Sequence, residues 1–436
     1  DRTHGGADVV PRFPSQMPVR LLLREVRRTG DADAIAVAEA TLSGMARGGI
    51  HDHVGGGFHR YSTDRRWVVP HFEKMLYDNA QLATAYTEAW RISGEPAHAA
   101  VARDTLGFML RDLRLPGGGF GAGIDADGEN AAGEREEGAW ATWTEAQLAD
   151  ALPRAERRMA AAVFDVQGSG EIGEQHVLWR ARPATEVAAE LGLSGPDALE
   201  VALVPVVERL LAARSLRPAP DRDDKVVAAW NGLAISALAR GGRAASEPAW
   251  TAAAEACAGF ITEQMVVDGR LHRTWLRGRV GPGAMLDDQA LLAAGLLDLF
   301  EVTGRRHWLE AALARMAAVE THHVDPGSGA LSTRPADAVS LLADVRDQRD
   351  GPVPSGTSAH LSNLLRLSTL TADPIWAARA ERTLVAMGGD LAADPLAFDH
   401  SILGLQWMLM DPRSVVVVRP VGRDDAALVR GIVGAG

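Results

Sequence analysis

Cysteine is nearly missing from this 436-residue chain, where Cys257 is the one thiol. A single cysteine cannot form an internal disulfide, and structural zinc usually needs more than one thiolate. In the run Ala254-Glu255-Ala256-Cys257-Ala258 it reads as a small core residue of an alanine-rich helix rather than a nucleophile. A reducing, cytoplasmic setting is the default expectation. Long apolar runs are missing as well, and none approaches the ~18 residues of a membrane span. Asp1 to Pro18 is polar and proline-rich, without the charged-then-apolar pattern of a signal peptide. Basic surplus is absent too. The formal net charge is -12, which argues against a general nucleic-acid binder, because neutralising phosphates needs a basic face. Period-two alternation hardly occurs before Ser414-Val415-Val416-Val417-Val418.

What the chain does have is helix-forming sequence, with 47% hydrophobic residues to supply a core. Helical runs are predicted at 34–46, 80–90, 97–112, 145–163, 197–213, 226–240, 249–265, 288–302, 308–319, 356–370, 375–387 and 399–410. The glycine turns between them resemble one another. Gly55-Gly56-Gly57-Phe58 recurs as Gly117-Gly118-Gly119-Phe120. Asp78-Asn79-Ala80, running to Ser93-Gly94, matches Asp288-Gln289-Ala290, running to Thr303-Gly304, and Phe58-His59-Arg60 pairs with Leu271-His272-Arg273. Such self-similarity means one supersecondary unit used repeatedly. The two glycine runs lie about 60 residues apart, room for two helices at ~1.5 Å per residue. Roughly twelve helices then suit six hairpins. Long, unequal polar loops favour a closed ring over an open solenoid. The expected fold is all-α, a toroid over 1–411. A strand–helix segment over 412–436 follows and reads as truncated.

Residues 47–79 are the densest in chemistry. Four of the 13 histidines fall there, with several acids, Arg60, Lys74 and Trp67. Polar, aromatic and glycine residues packed into a loop between helices suit a binding loop. His71 and Glu73 could be a proton-transfer base and its orienter, or a helix-entry network. Asp78 and Asp288 are the repeat-equivalent acids. They could form a carboxylate pair of glycosidase type, or each could brace its own helix. His53, with His51, could ligate a metal, but no third ligand is evident and no metal or other cofactor is expected. His59-Arg60 and His272-Arg273 could bind hydroxyls or carboxylates, or act as hairpin hinges. Asp125 and Asp127 sit in an acidic loop that lacks the twelve-position calcium pattern. Trp67 and Trp230 could stack on a sugar face, or fill a core. Asn231 offers a two-sided amide, and Ser355 a helix N-terminus for an anionic group.

The run His71-Phe72-Glu73-Lys74-Met75-Leu76-Tyr77-Asp78-Asn79 resembles the signature of the spermatogenesis-associated protein 20-like, YyaL-type thioredoxin-domain-containing family. Gly118-Gly119-Phe120 with Asp125-Ala126-Asp127, Asp223-Asp224-Lys225 with Trp230-Asn231-Gly232, Leu286-Asp287-Asp288 and Pro354-Ser355-Gly356 follow in family order. The resemblance implies an (α/α)6 barrel of the six-hairpin glycosidase-like type, akin to N-acylglucosamine 2-epimerases. It also implies a thioredoxin-like domain as partner, though no Cys-x-x-Cys occurs here. Two functions follow as expectations. One is a carbohydrate-active enzyme, glycosidase-like or epimerase-like, with a small sugar in the barrel pocket. The other is a non-catalytic module serving a thioredoxin-like domain. Neither calls for nucleic acid or membrane.

Overall fold

The computed structural model describes residues 1–410 apart from 131, 167 and 340–345. The expected strand–helix segment at 412–436 lies outside the described residues. Fifteen α-helices are described: α1 Val19–Thr29, α2 Ala32–Arg47, α3 Leu76–Ser93, α4 Pro96–Phe108, α5 Glu145–Ala151, α6 Arg154–Phe164, α7 Ala184–Glu190, α8 Pro196–Arg214, α9 Ala228–Ala245, α10 Pro248–Gln264, α11 Leu286–Thr303, α12 Arg306–His322, α13 Gly356–Thr371, α14 Pro374–Ala393 and α15 Asp399–Leu409.

Helix neighbours define a closed ring. α3 packs on α9, α9 on α11, α11 on α13, α13 on α15, and α1 bridges α15 back to α3. These six form an inner wall. α2, α4, α10, α12 and α14 each lie behind the inner helix that precedes them in sequence. Among the described residues this makes five hairpins and the inner helix α15, the layout of an (α/α)6 toroid.

Local chemistry explains the hairpins. Inner helices end on a left-handed residue: Gly94 at φ 74, Ser246 at φ 53, Gly304 at φ 68 and Ala372 at φ 53. That conformation closes the last turn and reverses the chain. Three outer helices then open with proline, at Pro96, Pro248 and Pro374. Proline there has a preset φ, and its missing N–H would have had no helical partner. Between inner and outer layers lies the main core, which includes Phe108, Phe120, Ile235, Leu238, Cys257, Leu296 and Leu364. The sequence-based role for Cys257 agrees with its burial there, which pushes its thiol above the ordinary range.

One part of the expected ring is placed elsewhere. The single helix expected at 145–163 is two helices, interrupted at Pro153, which lacks the N–H and φ freedom to continue α5. With α7 and α8 they form a side unit between α4 and α9 around Trp143, Leu148, Phe164, Leu203, Val206 and Leu210. Arg214, at the end of α8, ties this unit to the 47–57 loop. It forks onto Asp52 at 2.9 and 2.9 Å, while Lys74 reaches the same carboxylate at 2.6 Å. All three side chains are buried, so the one carboxylate is shared by two cations and its charge offsets that of one of them.

Short antiparallel pairings crown the end of the ring where the inner helices begin. Lys74–Met75 pairs with Gly123–Ile124, which pairs with Arg222–Asp223; Val226–Val227 pairs with Thr274–Leu276. They fix the residues just ahead of α3 and α9, and thereby a rim.

Candidate functional site

Asp78, Trp230 and Asp288 are each the third residue of an inner helix, on three consecutive staves of the ring. They therefore share the rim. Their surroundings differ. Asp78 is 1% exposed. Its Oδ1 accepts from the Ser15 hydroxyl at 2.5 Å, and its Oδ2 has no hydrogen-bond partner. Burial pushes this carboxyl up to about 8, against Ser15 and the Arg60 guanidinium, which favour the ion. Asp288 is equally buried but fully engaged. It accepts from Ala229 N at 3.2 Å, Met285 N at 2.9 Å and Arg273 Nη1 at 2.8 Å. Burial and the neighbouring Asp287 raise it while Arg273 opposes them. It braces two helix starts, whereas Asp78 keeps one oxygen without a partner.

A chain of charged side chains runs beside Asp78. His71 Nδ1 meets Glu137 at 2.6 Å, its Nε2 lies 3.7 Å from Glu73, and Glu73 accepts from Arg60 at 2.7 Å. The Tyr61 ring stacks on His71 at 4.9 Å, and Trp230 meets Tyr77 edge-on at 4.9 Å. His71, Glu73, Arg60 and Asp78 are thus gathered at one sector of the rim.

Other expected residues serve the scaffold. Asn231 Oδ1 accepts from Phe120 N at 2.8 Å, and its Nδ2 donates to the carbonyls of Phe120 at 3.1 Å and Val227 at 3.0 Å. Asn79 does the same for Phe58, at 2.7 and 3.0 Å. Each glycine run is therefore clamped by an amide on the next inner helix. A Cβ on Gly57 would sit 2.6 Å from Asn79 Oδ1, and one on Gly119 would sit 2.9 Å from the Phe260 ring. Trp67 is enclosed and its indole donates to His4 O at 3.0 Å. His59 bonds Phe72 O at 2.9 Å, and burial pushes it down to about 3. His53 faces the Gly48 carbonyl at 3.1 Å, and His51 faces Asp104 at 2.8 Å. His272 is held on Gly281 O at 2.8 Å. Asp125 pairs with Arg135 at 2.8 Å on the exposed side, with Asp127 in the adjoining 127–129 strand. Ser355 caps α13 and accepts from Ser358 N at 3.1 Å.

The ring surrounds a cavity of about 110 Å³ that opens to solvent, and all six inner helices line it. None of the expected site residues does. Its wall carries an ion-pair belt. Arg20 forks onto Glu88 at 2.9 and 2.7 Å; Arg240 joins Glu88 at 2.9 Å to Asp298 at 3.0 Å; Arg366 joins Asp298 at 2.7 Å to Glu301 at 2.8 Å. Burial opposes ionisation of Glu88, yet Arg20 and Arg240 hold it down at about 2. Sequence reasoning missed this belt although the repeat contains it. Glu88 and Asp298 each lie ten residues beyond the equivalent acids Asp78 and Asp288. Above the belt, Gln81 donates to Pro352 O at 2.7 Å, so the loop ahead of α13 reaches to the opposite stave. Nearby, Asp350, Asp399 and His400 bring ligand-type atoms within 4.8 Å of one another. The Asp350 oxygens are already used, by Ser355 N at 2.8 Å and His400 N at 3.0 Å.

The toroid matches known structures. A cellobiose 2-epimerase from Spirochaeta thermophila superposes with a TM-score of 0.53 at 13% identity, covering 87% of this chain and 75% of that one. This establishes the architecture as that of the six-hairpin toroids. No family model matches the sequence. Among curated proteins, spermatogenesis-associated protein 20 of mouse is 34% identical over 99% of this chain, and that of human is 33% identical over 99%. The chain is therefore homologous to the spermatogenesis-associated protein 20-like family over nearly all its length. It spans 59% of the length of those two relatives.

Proposed function

We propose that the chain is a carbohydrate-active enzyme that holds a sugar-sized ligand in the lumen, with Asp78 as its proton donor. The carrying observation is a buried acid held neutral about one helical turn from the cavity wall. Asp78 lies three residues above Gln81 on α3, and Gln81 lines the cavity. Side chains at that spacing are neighbours, about 5–6 Å apart at Cβ. A carboxyl kept protonated to about pH 8 can give a proton to a leaving oxygen at neutral pH. Glu73, paired with Arg60, acts on Asp78 across the rim, and His71 between Glu73 and Glu137 offers a route for that proton's return. The fold shared with a cellobiose 2-epimerase supports a sugar as ligand. The experiment is a mono- and oligosaccharide screen with products followed by chromatography. Asp78→Asn and His71→Asn should each lower turnover by about 100-fold, and the wild-type rate should fall as pH rises through about 8. Unchanged turnover in both variants sinks the assignment.

A second reading, ligand binding without turnover beside a thioredoxin-like domain, is favoured by the enclosure of Asp78, which does not itself line the cavity. Saturable sugar binding with no product from any substrate would select it.

A further inference from the structure

The lumen carries a charge imbalance that the belt does not absorb. Four guanidinium groups, on Arg20, Arg24, Arg240 and Arg366, face three carboxylates, on Glu88, Asp298 and Glu301. Arg20, Arg240 and Arg366 are each bonded to one or two of those acids. Arg24 is left over: among the described residues no carboxylate lies within ion-pair distance of it. Its guanidinium lies 5.7 Å from the Trp407 ring at the one stave, α15, where the belt is interrupted. Among the described residues neither roof acid pairs with Arg24: Asp350 accepts from the N–H groups of Ser355 and His400, and Asp399 lies 3.8 Å from His400 Nδ1. An excess cation inside a chain of formal net charge -12 runs against the overall sign of the molecule.

Two further features of the wall point the same way. Asn363 is 0% exposed, donates its Nδ2 to Ala290 O at 2.8 Å, and leaves its Oδ1 with no partner. An orphaned buried acceptor costs about 1–3 kcal/mol unless a donor arrives. A ligand hydroxyl is such a donor. Trp407 presents an indole to the same cavity, a surface on which the C–H face of a sugar ring can lie.

We propose that the lumen is an anion site, taking a polyhydroxylated small molecule that bears a carboxylate or a phosphate, with Arg24 as the partner of the anionic group. This deepens the reading of the lumen as a ligand cavity and does not depend on chemistry at Asp78. The guanidinium forks onto either kind of anion in the same way. In the ligand-free protein Arg24 is a strained group: burial lowers it to about 10, Glu88 opposes the shift, and Arg20, Arg240 and Arg366 add to it. Binding an anion there relieves the repulsion among the four cations.

The test is calorimetric titration of the full chain with glucuronate, glucose 6-phosphate and glucose. At least one anionic probe should bind ten times more tightly than glucose or better. Whichever anion binds more tightly identifies carboxylate or phosphate as the group recognised. Arg24→Met should weaken that anion by about tenfold or more. The same variant without ligand should melt at an unchanged or higher temperature, because a desolvated like charge is removed. Glucose binding as tightly as the anions overturns the proposal, and so does an Arg24→Met variant with full anion affinity or a lowered melting temperature. No binding by any probe at millimolar concentration overturns both the anion site and the lumen reading. Anion binding without turnover leaves the anion site standing and removes only the catalytic role of Asp78.

Discussion

Asp78 makes stability depend on pH in an unusual direction for an acid. Its carboxyl titrates near 3.8 in an unfolded chain and at about 8 in the folded one. Between those values the native state holds the extra proton, so this contribution is present at low pH and is lost as pH rises through about 8. Asp78→Asn should be more stable than the parent by a margin that widens from pH 5 to pH 8, measured by denaturant unfolding at each pH; a margin that shrinks over that range refutes the buried neutral acid. Asn79 and Asn231 are residues of another kind, each making three hydrogen bonds, two to a buried loop and one to the start of its own helix. Asn231→Ala should cost about 3 kcal/mol, since it strands buried N–H and C=O groups, and the measured unfolding free energy checks it. The acid at Asp78 was legible in the sequence because the repeat placed it. Asn231, expected as a ligand contact, spends its amide on Phe120 and Val227, because an amide looks the same in sequence whether it meets a sugar or a backbone.

At the scale of helices, the inner-to-outer joints were readable from Ser93-Gly94 and Thr303-Gly304, which do terminate α3 and α11. α1 escaped notice because its lumen face carries Arg20 and Arg24, charges that mask an inner-wall helix when apolar periodicity is the guide. The side unit of α5 to α8 escaped because periodicity reports a buried face and not which core buries it. One close helix contact was also invisible in the letters. α9 and α11 meet at Gly232, where a Cβ would lie 2.4 Å from Leu291 O, and at Gly295, where one would lie 2.6 Å from Gly232 O. Gly232→Ala must push two inner staves apart. A loss of about 1–3 kcal/mol is expected, with a fall in melting temperature; an unchanged melting temperature would show that the interface can yield.

For the whole molecule, the belt from Arg20 through Glu88, Arg240 and Asp298 to Arg366 joins five of the six inner helices. Asp298 is the node, buried at 2% exposure and holding two guanidinium groups. Asp298→Asn should therefore be severe, about 3–5 kcal/mol, because it leaves Arg240 and Arg366 charged and undercompensated in the interior. Asp298→Leu with Arg240→Met and Arg366→Met should recover much of that loss, since replacing a whole buried network by apolar groups is often neutral; chemical denaturation of both variants measures it.

Closure of the ring has a consequence for how the chain reaches its native state. Arg20 on the first stave approaches His400 on the last at 3.4 Å across 380 positions of sequence. Until the final stave has docked, the helices can form only an arc with two unpaired margins. The last seam must bear the entropy of that long loop, and an unsealed arc is the species a chaperone would meet on the ribosome.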